Sequence, residues 1–288
     1  MLVVDQLVEP ARLQQVVGIA HARKMCPDPA VGTPNEVQCR AADVVQGAVR
    51  LAVLVLLLAL PARAYRPFDG TDAAVAERGD LEVELGPVGY LREGAERFLV
   101  TPAIIANVGV LDDTELVIES RHHLLLGASG EAARSRLVDS AVSVKQVLRE
   151  GELQDATGPS VAVELGLLLP AWHEPPGAGV SLAAIVSRKS RIAAVHLNAA
   201  AAVRNGQHVE LFGSAIAEGP DDWAVRPVAE IFVQPEIDVA TTVSALVGAI
   251  WRTSNAVSFD AGLRLARAAG QAVLEGRLGV TFAVSVFR

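Results

Sequence analysis

From Gly79 to the C-terminus, apolar and polar residues alternate with period two, in runs separated by Gly, Pro, Asp, Asn and Ser. In RLGVTFAVSVF, Leu278, Val280, Phe282, Val284 and Val286 share one phase, and Arg277, Gly279, Thr281, Ala283 and Ser285 the other. In VSFDAGLRLAR, Val257, Phe259, Ala261, Leu263 and Leu265 oppose Ser258, Asp260, Gly262 and Arg264. In ELVIESRHHL, Leu116, Ile118 and Leu124 oppose Glu115, Glu119, Arg121 and His123, and in DLEVELG, Leu81, Val83 and Leu85 oppose Glu82, Glu84 and Gly86. Extended strands send successive side chains to opposite faces, so each run is a strand with one apolar face. The pattern predicts about twelve strands, near 80–91, 97–110, 114–126, 137–149, 160–169, 179–188, 191–203, 207–217, 223–234, 240–252, 257–267 and 272–287. Two runs also fit a helix. In RLVDSAVSVKQVLRE, Leu137, Ala141, Val144 and Leu148 have helical spacing, and HLNAAAAVR is alanine-rich.

Length separates two all-β architectures. Sandwich strands are usually about five or six residues long, whereas a tilted strand crossing a bilayer takes about nine to eleven. Nearly every run has the longer length. The fold expected is therefore an antiparallel transmembrane β-barrel of about twelve strands over residues 79–288, apolar side chains facing lipid and polar ones a wet lumen. Loop lengths agree in part with short periplasmic turns and long outer loops. The short links at Asp112 and Ser190 fit, the link around Asp155 is too long, and Asn205-Gly206 is short for an outer loop.

Upstream, VRLAVLVLLLALPARAYRPFDG has the anatomy of a signal peptide: Arg50, an apolar run from Leu51 to Leu60, then Ala62-Arg63-Ala64. The run is too short to span a bilayer as a helix, which takes about 20 residues. Cleavage is expected between Ala64 and Tyr65, with residues 49–64 as the signal and residues 1–48 an upstream extension, the true start lying near Val44, Val45 or Val49. Residues 65–78 then form a periplasmic or plug segment ahead of the barrel. Both cysteines, Cys26 and Cys39, lie before the signal, so an exported chain starting at Tyr65 has none. With His21 they fit no compact zinc-site spacing, and neither metal nor cofactor is expected. The formal net charge of -8 leaves no basic footprint for nucleic acid.

Three stretches carry a resemblance. The opening RPFDGTDAAVAERGDLEVELG, the central GPSVAVELGLLLP and the closing VSFDAGLRLARAAGQAVLEGRLGVTFAV resemble the outer-membrane barrels named for the MetA pathway of phenol degradation, over about Arg66 to Phe287. The resemblance implies a channel or transporter in the outer membrane, in contact with outer-membrane lipid and inserted by the barrel-assembly machinery. It implies small solutes, hydrophobic or aromatic, without identifying one, and it implies no catalytic residues. One position departs from such barrels, which commonly end on an aromatic residue in the lipid-facing phase: here that slot holds Arg288, and Phe287 lies one residue early.

No nucleophile elbow is present, and His122, His123, His173, His196 and His208 are scattered, so catalysis is not expected. A structural or adhesive barrel without transport is the alternative, with an outer-membrane lipid hydrolase behind it. Phase reading points Glu82, Glu84, Glu115, Glu119, Arg121, Lys145, Asp260, Arg264 and Arg277 into the lumen. Trp172, Trp223 and Trp251 fall near strand ends, where interfacial aromatic girdles sit.

Overall fold

The structure is a computed structural model that describes residues 59–60, 66–127, 135–172, 177–204, 208–254 and 256–287, all within one compact unit, Val55–Arg288. The expectations for residues 1–48, for the signal peptide apart from Ala59–Leu60, for its Ala64–Tyr65 cleavage, and for Cys26, Cys39, His173, Asn205-Gly206 and Arg288 lie outside the described residues.

Twelve long strands form the fold: β1 Asp80–Glu93, β2 Glu96–Leu111, β3 Thr114–Leu125, β4 Ser135–Arg149, β5 Ser160–Leu168, β6 Gly179–Lys189, β7 Ala194–Arg204, β8 His208–Glu218, β9 Val225–Glu236, β10 Ala240–Arg252, β11 Val257–Ala268 and β12 Gln271–Ser285. Each pairs antiparallel with the next, and β12 returns to β1 with Val273 opposite Glu93 and Ser285 opposite Asp80. The barrel is closed. A two-residue ladder at Ala59–Leu60 also touches β12. Both segments open to a helical reading are strands, β4 and β7, each hydrogen-bonded to a neighbour on either side. Closure decides this: a helix there would leave the facing edges of two neighbours without partners, which apolar surroundings penalise heavily.

Side-chain placement inverts the order of a soluble protein. On β12, Val273, Glu275, Arg277, Thr281 and Ala283 are buried, while Leu278 is 52% exposed. On β10 the neighbours Leu246 and Val247 are 2% and 61% exposed. Outward residues are apolar all round the barrel, among them Leu165, Leu182, Ile231, Leu263 and Leu265. That belt suits lipid, while buried Glu, Asp, Lys, Arg and Ser are what a polar lumen contains. Trp172, Trp223 and Trp251 are exposed close to strand ends, whereas Phe98 and Phe232 are buried in the interior.

Because the strand number is even, the chain enters β1 and leaves β12 at the same end. That end carries the links 112–113, 150–159, 190–193, 219–224 and 253–256; the far end carries 94–95, 126–134, 169–178, 205–207, 237–239 and 269–270. The overlong link around Asp155 thus lies at the end of the termini, and it has a structural task there. It forms a 3₁₀ turn at Glu152–Gln154 whose Leu153 is buried against Ala73, Ala74, Ala162 and Ile185. At the C-terminus the alternation stops with β12: the amides of Val286 and Phe287 both donate to the carbonyl of Gly79, and both side chains are exposed. Strand parity therefore does not assign a lumen phase to Phe287.

Candidate functional site

Residues Arg66–Glu77 are not a strand, so their backbone amides need acceptors from elsewhere. The barrel wall supplies them. The amides of Asp69 and Gly70 donate to the two carboxylate oxygens of Glu230 at 2.7 and 2.8 Å. Thr71 donates to Asn198 Oδ1 at 3.1 Å, Ala73 to Ser187 Oγ at 2.9 Å, and Ala76 to Glu115 Oε2 at 2.6 Å. From the 150–159 link, Gln154 Nε2 donates to the Ala73 carbonyl at 2.9 Å. Apolar contacts complete the seat: Phe68 packs with Ile216, Val228, Leu246 and Ile250. Gly70 admits the chain here, since a Cβ would lie 2.5 Å from Ser214 Oγ and 3.0 Å from Glu230 Oε1. The segment thus lies inside the lumen and is held by β3, β6, β7 and β9.

Around this segment the ionised side chains form a knot on β3, β11 and β12. Arg277 donates to the Pro67 carbonyl at 2.6 Å and to Asp69 and Glu275 at 2.8 Å each. Arg264 Nε lies 2.7 Å from Glu275, and Arg121 lies 3.7 Å from Asp69 and 3.8 Å from Glu275. Burial alone would raise the Asp69 carboxyl; Arg277, Arg264 and Arg121 together reverse this and hold it below the ordinary aspartate value. Nearby, Arg66 faces Asp260 at 3.8 Å. On the other side, Lys145 Nζ lies 3.3 Å from Glu115 and 3.7 Å from Asp72.

What remains open is a cavity of about 810 Å³. Its lining runs from Asp112 and Asp113, at the end of the termini, to Leu91, Glu93 and Val273 near the other. Of the nine residues the phase pointed inward, Glu82, Glu84, Glu115, Glu119, Arg121, Lys145, Arg264 and Arg277 line this cavity, and Asp260 is buried against Arg66. Arg121, Arg264 and Arg277 meet in one network and Glu115 and Lys145 in another; Glu82 and Glu84 sit on β1, with Asn107 donating to Glu84 at 3.2 Å. The two adjacent histidines separate: His123 lines the cavity, while His122 bonds the Thr101 carbonyl at 2.7 Å.

Phase reading missed Glu275, Glu230, Glu164, Ser187 and Asn198. The first three were within its reach, being lone carboxylates in apolar runs and in the inward phase (Glu275 two residues before Arg277). Ser187 and Asn198 carried no such signal, because a small polar residue facing a lumen looks like any other strand position. Their role appears only with the segment they hold.

No protein-family model matches the chain, and no curated protein matches it. Among solved structures, the chain is similar to an outer membrane channel from Pseudomonas putida F1, with a TM-score of 0.53 at 13% identity over 75% of this chain and 99% of that one. It is similar also to the NanC porin, with a TM-score of 0.50 at 9% identity over 70% of this chain and 98% of that one. At such identities the likeness carries the fold, and the chain has the closed twelve-stranded architecture of outer-membrane β-barrels.

Proposed function

We propose that this chain is an outer-membrane channel for small solutes, exported through a signal peptide cleaved after Ala64 and inserted by the barrel-assembly machinery. The observation that carries the reading is the cavity of about 810 Å³ whose lining reaches towards both ends of a lipid-facing barrel. Barrels of about eight strands are filled by side chains and those of sixteen or more leave an aqueous channel; twelve leaves a narrow path whose lining decides what passes. The path is mixed: Phe212, Phe232, Ala200 and Ala202 stand beside Glu119, Arg204 and Arg264. Such a lining suits hydrophobic, aromatic or amphipathic solutes of small size, and the resemblance to the MetA-pathway barrels agrees with that range. The similarity to a Pseudomonas putida channel and to a porin supports transport as the use of the fold.

A structural barrel without transport is the second reading. The observation in its favour is the inserted segment, which crosses the lumen on at least five side-chain acceptors. One experiment separates the two. The refolded protein is placed in planar bilayers and in liposomes, and conductance and small-solute uptake are measured for wild type, Glu119→Ala and Arg264→Ala. A channel conducts and changes its ion preference in the variants. A wild type that is electrically silent and takes up no solute would establish the structural barrel instead.

A further inference from the structure

The cavity's charges do not balance. Fifteen carboxylates line it, against six arginines and lysines. All six cations are already engaged: Arg66 with Asp260, Arg121 and Arg277 with Asp69 and Glu275, Arg264 with Glu275, Lys145 with Glu115 and Asp72, and Arg204 with Glu210. The carboxylates outnumber these cations. Glu119, Asp139 and Glu164, on the adjacent strands β3, β4 and β5, line the cavity, and none has an ion-pair partner among the described residues. Glu164 accepts one hydrogen bond, from Ser143 Oγ at 2.5 Å. In a ring of twelve strands, β3 and β5 face β9 and β11. The opposite wall carries Phe232 from β9 and Ala266 and Ala268 from β11, with Phe212 from β8 at 5.3 Å from Phe232, beside Gln234 and Arg264, whose guanidinium pairs with Glu275 and lies 5.9 Å from the Phe232 ring centre.

We infer that the lumen selects small cations over anions, above all those bearing an amine on an apolar body, and that Glu119, Asp139 and Glu164 set this preference. The inference rests on the channel reading and adds the chemical class of what passes. An anion entering the cavity meets three carboxylates that hold no cation at ion-pair distance among the described residues, and arginines already engaged with other carboxylates. A cation finds its concentration raised by the same field, which is screened less in a confined lumen than in bulk. Acidic linings give cation-selective pores by this route. The facing wall of phenylalanine and alanine then accepts the apolar part of an organic ammonium ion, while the amine lies toward β3–β5.

The test is electrical, on the full barrel in planar bilayers. Reversal potentials are read in a potassium chloride gradient and then with benzylammonium and benzoate, which share a ring and differ in charge. The expected permeability ratio is about fivefold or more for potassium over chloride, with benzylammonium ahead of benzoate. In Glu119→Gln with Glu164→Gln and Asp139→Asn, the ratio should fall towards one. A wild type that conducts but favours chloride or benzoate, or favours neither, overturns the inference and leaves the channel standing. A preference that survives in the substituted barrel overturns the assignment to these residues. A silent wild type removes the channel reading and this inference with it. The wild-type ratio keeps the test decisive if a variant fails to fold.

Discussion

Where β12 meets its neighbours, Arg277, Arg264 and Arg121 converge on Asp69 and Glu275, so that each charge in the knot touches at least one of opposite sign. On β3–β5, Glu119, Asp139 and Glu164 share the same lumen, and none of them has an ion-pair partner among the described residues. The two regions use the same residue types to different ends. Desolvating charge is tolerable when a partner repays it at short range, and breaking such a set is worse than never having built it. The knot therefore fastens the inserted segment, whereas the carboxylates of β3–β5 contribute little to holding the barrel together. They leave a field in the open space.

Four substitutions test whether the two regions differ in this way. The largest effect is expected from Arg277→Leu, which removes the shortest cation contact of Asp69 and one of those of Glu275 and frees the Pro67 carbonyl. Removing one member of a buried ionic network costs about 3–5 kcal/mol, towards the lower end here because Arg121 and Arg264 still touch Glu275. Denaturant unfolding from lipid vesicles should show the midpoint fall, and an unchanged midpoint would dissolve the distinction between the regions. Glu230→Ala comes next. It leaves the amides of Asp69 and Gly70 without acceptors, at about 1–3 kcal/mol for each unmet group. Hydrogen exchange at those amides should rise sharply while exchange in the strands stays slow.

A pH series on Asp69→Asn isolates one ion pair. The folded Asp69 carboxyl lies below its ordinary value, so its contribution is complete above that value and is lost only as pH falls through the lower, folded one. The stability gap between wild type and Asp69→Asn should hold constant down to the ordinary aspartate value of about 3.9 and close below it. A gap that closes at higher pH would mean that Arg277, Arg264 and Arg121 do not hold the carboxylate as described. The smallest effect is expected from Glu119→Gln. Removing one of three like charges should leave the unfolding midpoint within about 0.5 kcal/mol of wild type while altering ion preference. A large destabilisation would place Glu119 with the fasteners.

Much of this architecture could be read from alternation, because lipid on one side and water on the other impose period two on every strand. Eleven of the twelve expected runs begin within two residues of the observed strands; the exception is β7, which starts at Ala194 because Ser190 turns back to accept from and donate to Ala193. The same phase brought eight of its nine candidates to the cavity. What the alternation could not reach is partnership across the lumen. Asp69 and Glu230 lie 161 positions apart, and Arg277 and Pro67 lie 210 apart. No local pattern encodes such a meeting. The long link at Asp155 misled for the same reason, since its length serves the inserted segment rather than the turn it makes.

The seam between the first and last strands sets an order of events. β1 cannot gain its second neighbour until Gln271–Ser285 has been made and delivered, so closure belongs to the end of biogenesis. The same final strand brings Glu275 and Arg277, which grip Asp69 and the Pro67 carbonyl. Docking of the inserted segment is therefore completed in the step that seals the wall. An intermediate still open at this seam has a segment without its Arg277 anchor as well as two unpaired edges, and both are resolved together.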